Sequence, residues 1–127
     1  MSDVSDLEVD EVAGHVIVSF SVFSLTRIGE LSAFLEASSS PTDDFHYRFG
    51  TTTFDEPAWE RRAARLDAAI NAFVDRLEHV PRHELNAAGS FVRLFLTLPS
   101  GAETIDASTV KRLADVNATI WIDVSTD

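Results

Sequence analysis

The stretch FVRLFLTLPSGAETIDASTVKRLADVNATIWIDV, residues 91–124, decides the fold. Its first eight residues alternate: Val92, Leu94, Leu96 and Leu98 on one side, Phe91, Arg93, Phe95 and Thr97 on the other. Period two with apolar residues on one side is the pattern of a half-buried strand. Pro99-Ser100-Gly101 reads as a turn. Asp106 stands where an N-cap is needed for a helix from Ala107 to about Asn117, with Val110, Leu113 and Ala114 on its inner stripe. Thr119 to Val124 reads as a second strand, with Ile120, Ile122 and Val124 inward and Trp121 and Asp123 outward. Strand, helix and strand in that order make a βαβ unit.

Working towards the N-terminus, the pattern repeats. His15 to Ser24 alternates Val16, Val18, Phe20 and Val22 against Ser19 and Ser21, which predicts another half-buried strand. Ser24 or Thr26 then caps a helix over Arg27–Ala37, with Ile28, Leu31, Phe34 and Leu35 inward. Residues 38–44, SSSPTDD, are a loop by composition. Phe45 to Thr53 alternates Phe45, Tyr47 and Phe49 with His46 and Arg48, again a strand. Between the two halves lies the strongest helical period in the chain: Trp59, Ala63, Leu66, Ile70, Phe73 and Leu77. Pro57 suits the first turn, Asp55 its N-cap, and Pro81 ends it.

The expected architecture is therefore α+β: β-α-β, an inserted long helix over 57–79, then β-α-β. Two such halves sharing one sheet predict a ferredoxin-like split βαβ sandwich with a four-stranded antiparallel sheet. Residues 1–13 carry five acids (Asp3, Asp6, Glu8, Asp10, Glu11) and no base, and read as a mobile acidic tail. Residues 14–127 form the single expected domain.

Charge and composition narrow the function. Twenty-one acids against ten bases give a net charge of −11. A surface that neutralises phosphates must be basic, so nucleic acid and anionic membranes are disfavoured as partners. Without cysteine there is no disulfide, thiolate nucleophile or Cys-ligated metal. Residues 1–14 lack the basic and apolar regions of a secretory signal, and no apolar run reaches the ~20 residues of a membrane span. A cytoplasmic protein is expected. No P-loop, nucleophile elbow or dinucleotide-binding glycine motif is present. His79 and His83 have metal-ligand spacing, but Pro81 lies between them, so no metal site is expected. Neither catalytic residues nor a cofactor are expected.

The stretch 90–124, together with VIVSFSVFSLTRIGELSAFLEASSSPT over 16–42, resembles the DUF4279 family. The resemblance rests on the strand Phe91–Leu98, Gly101, Ile105-Asp106, Val110–Leu113, and the strand Ile120–Val124 with Asp123 at the family's aspartate. Gly50 and Trp59 echo its central glycine and tryptophan loosely. The resemblance implies a small α+β domain with immunity or defence roles, and supplies no catalytic residues.

One surface stands out. Parity places Phe91, Arg93, Phe95, Trp121, Asp123, His46 and Arg48 on the sheet's outer side. Three aromatics there are too much apolar area to leave in water without cause. The first expectation is that the long helix covers them; a second copy of the chain or another protein would serve instead. The functional expectation is a non-enzymatic interaction protein, immunity-like or inhibitory, steered by its acidity to a basic partner such as a toxin or effector. The alternative is a ferredoxin-like small-ligand sensor acting as a dimer.

Overall fold

The computed structural model describes residues 14–35, 45–87, 89–100 and 103–124. The expected acidic tail and the 38–44 loop lie outside these residues. Four strands form one sheet: β1 (His15–Ser24), β2 (Phe45–Asp55), β3 (Phe91–Leu98) and β4 (Ala118–Val124). Among the described residues three α-helices join them: α1 (Trp59–Asp75), the single turn α2 (Arg82–Leu85) and α3 (Ala107–Asp115). The strand order is β2-β1-β3-β4.

The sheet is mixed. β1 pairs antiparallel with both β2 and β3, whereas β3 and β4 run parallel. This corrects the expected all-antiparallel sheet. The physical reason lies in the two connections. From β3 to β4 the chain has room for α3, so it crosses over and returns in the same direction. After β1 the described residues form a six-residue 3₁₀ helix, Gly29–Phe34, where an α-helix over 27–37 was expected. Among the described residues no crossover helix forms there, and β2 comes back antiparallel along β1's edge. The strands of the one βαβ unit, β3 and β4, are neighbours and not split by a third strand.

The described helices bury their apolar sides against one face of this sheet. That face presents Val16, Val18, Phe20 and Val22 from β1, Tyr47, Phe49 and Phe54 from β2, and Val92, Leu94, Leu96 and Leu98 from β3. Leu66, Ile70, Phe73 and Val74 of α1, Leu85 of α2 and Leu113 of α3 close the core over it. The Phe73 ring stacks on Phe20 at 5.4 Å. Gly50, at φ +104°, sits where the β1–β2 register shifts, and this lets Phe54 regain the inner side after Tyr47 and Phe49. Ile28 and Leu31 seal the edge of the core, with the Ile28 N–H donating to the Tyr47 hydroxyl at 2.6 Å.

α1 is shorter than expected and turned. It starts at Trp59 with Ala58 as N-cap, because β2 runs on to Asp55 and leaves that residue no capping role. Trp59, expected inward, is 47% exposed, and Arg62 is buried instead. Arg62 is ion-paired with Glu103 at 2.8 Å and donates to the Glu56 and Pro57 carbonyls, so the burial of its charge is compensated. α3 is also turned: Thr109 and Leu113 are buried while Val110 is exposed. A polar seam explains this. Asn71 donates to Thr109 Oγ1 at 3.0 Å, and Arg112 donates to Asn71 at 2.6 Å and to Asp75 at 2.7 Å. Asp106 occupies the N-cap position of α3 without a side-chain cap bond; its carboxylate accepts from the Ser108 hydroxyl.

Candidate interaction surface

With every described helix on one face, the opposite face of the sheet carries no helical layer among the described residues. The expectation that the long helix covers the aromatics is overturned. α1 chose the other side because that face offers a continuous run of aliphatic side chains, while this one is broken by Ser19, Ser21 and threonines.

Strand pairing builds the surface in rows. Phe23 of β1 lies beside His46 of β2 and Phe91 of β3. Ser21 lies between Arg48 and Arg93, whose β4 neighbour is Thr119. Ser19 precedes Phe95, whose neighbour is Trp121. Thr97 adjoins Asp123 in the last row. The seven residues expected on this face are on it, although Asp123 sits at its far end from Arg93.

The rings form a connected strip. Phe23 stacks on His46 at 4.2 Å and on Phe91 at 4.7 Å. Phe95 and Trp121 meet at 6.4 Å, tilted. Between the two groups lies the guanidinium of Arg93, 4.4 Å from the centre of the Trp121 ring, 5.0 Å from Phe23 and 5.4 Å from Phe91. A guanidinium set among three ring faces gains cation–π attraction while its planar fork keeps donors for an acceptor above the sheet. Among the described residues Arg93 has no ion-pair partner, and its Nε is buried without a hydrogen bond. Phe91 is 36% exposed and Trp121 49%.

Phe23 is the residue sequence reasoning missed. The first strand seemed to offer only serines to this face, yet counting two onward from Ser19 and Ser21 reaches Phe23. That aromatic is the hub of the stack. β4 differs from expectation on its other side: Ile122 is 57% exposed and Val124 50%, because α3 covers only the start of the strand. His79 and His83 do not share a helix; α1 ends at Asp75 and His83 belongs to α2. No helix among the described residues is long and apolar enough to cross a membrane.

No family model, curated protein or solved structure matches this chain.

Proposed function

We propose that this chain is a non-enzymatic interaction module, immunity-like or inhibitory, that captures a basic partner protein in the cytoplasm through the open face of its sheet. The observation that carries the reading is Arg93 held among Phe23, Phe91 and Trp121 on a face no described helix covers. Aromatic rings and arginine are the side chains that anchor interfaces, since they bury large area at low entropic cost. The net charge of −11 supports steering of a basic protein towards the module, with Arg93 left to engage a carboxylate or carbonyl of that partner at close range. The resemblance to the DUF4279 family supports the immunity-like side of the reading.

The test is capture of the protein encoded beside this one, measured by calorimetry. Replacing Phe91 and Arg93 with serine is expected to weaken binding by at least ~100-fold, the loss of two central anchors. Association is expected to slow as salt rises. Unchanged affinity in the double variant removes the open face from the proposal, and salt-independent association removes steering.

A second reading draws on the shallow groove along β4, lined by Phe95, Trp121 and Ile122 among others. It suits a small ligand, as a sensing domain would need. A thermal shift on adding amino acids or nucleotides, abolished by Trp121→Ala, is its expected signature.

A further inference from the structure

The two edges of the sheet are unlike. β2 is guarded: Leu35 bridges Tyr47 from outside, and the Gly50 irregularity bends the strand. Such devices stop an edge from templating another strand. Among the described residues β4 has none of them. Its seven residues, ATIWIDV, contain no glycine, proline, lysine or arginine, and Asp123 is their one charge. Trp121 is exposed on one face and Ile122 and Val124 on the other. An edge with unpaired backbone groups and apolar side chains on both sides is complementary to another strand.

We propose that β4 pairs antiparallel with β4 of a second copy about a two-fold axis at Trp121, joining two sheets into one of eight strands. The axis at Trp121 is the register in which all seven residues find partners. On the helix side it sets Ile122 against the partner's Ile120, and Val124 against the small partner's Ala118. On the open side it sets Asp123 beside the partner's Thr119, in the row that continues to the partner's Arg93. Neither Arg93 nor Asp123 has an ion-pair partner among the described residues, and this pairing supplies each with the other. An axis at Asp123 would instead oppose two like charges. A single strand buries less than the ~800 Å² per partner of a standard interface, so the expected affinity is micromolar. The inference does not rest on partner capture, though the two share Arg93: in the dimer its guanidinium is engaged by Asp123 of the other copy, while Phe23 and Phe91 of each copy stay accessible.

The test is sedimentation equilibrium of the full chain from about 1 to about 300 μM, a range that brackets micromolar association. The mass is expected to rise from one chain to two. Ile122→Lys, at a site off the open face, is expected to keep the chain monomeric throughout. Asp123→Arg is expected to weaken dimerisation by about tenfold or more, and adding Arg93→Asp to restore it. Thr53→Lys, on the guarded edge, and Phe91→Ser, on the open face, are expected to leave the dimer intact, so loss of partner capture and loss of dimerisation are read separately. A wild-type mass of one chain at the top of the range overturns the proposal, as does a dimer that survives Ile122→Lys.

Discussion

Arg62 shows how much one side chain carries at the start of α1. Its guanidinium binds Glu103 and two backbone carbonyls, tying the β2–α1 link to the segment before α3. Removing one member of a buried pair strands the other charge. Arg62→Met is therefore expected to cost roughly 3–5 kcal/mol in urea unfolding, and Arg62→Met with Glu103→Leu markedly less. Gly14 is a second sensitive position. Its φ of +91° suits glycine, and a Cβ there would strike the Glu56 carbonyl, while the Gly14 carbonyl accepts from the Glu56 N–H. Gly14→Ala is expected to lower stability by about 1–3 kcal/mol in the same measurement.

At the scale of elements, all four strands were legible because alternation reports directly which side chains share a face. His46, Arg48, Phe91, Arg93, Phe95, Trp121 and Asp123 were placed by parity alone. Helix facing was less legible. Trp59 extends the Leu66–Ile70–Phe73 stripe on a wheel, but at the first turn an aliphatic stem with a charge partner displaced the ring, and no sequence period announces the Arg62–Glu103 pair. For the same reason Thr109, not Val110, faces the core: Asn71 holds it by a hydrogen bond across the helices. This yields a contrast. Ile70→Ala is expected to destabilise by roughly 2–5 kcal/mol and Trp59→Ala by less than about 0.5 kcal/mol, as read from thermal melts. Equal losses would mean that α1 sits in the phase the wheel suggests. Which face α1 covers was also beyond the sequence, since both sides of the sheet carry aromatics and only the aliphatic density of one decides.

For the whole molecule, the most consequential feature is that β1, the first of the described strands, lies inside the sheet. Its second neighbour, β3, begins only at Phe91. Pairings this distant in sequence slow folding, and refolding is expected on the millisecond-to-second scale in stopped-flow fluorescence. Synthesis adds an order of events. When the chain has emerged only as far as α1, Val16, Val18, Phe20 and Val22 already have β2 beside them, but one flank of β1 still waits for a strand the ribosome has not delivered. Until then the nascent chain exposes a sticky, half-built sheet, which is the form a holding chaperone would meet and the window in which copies would tangle.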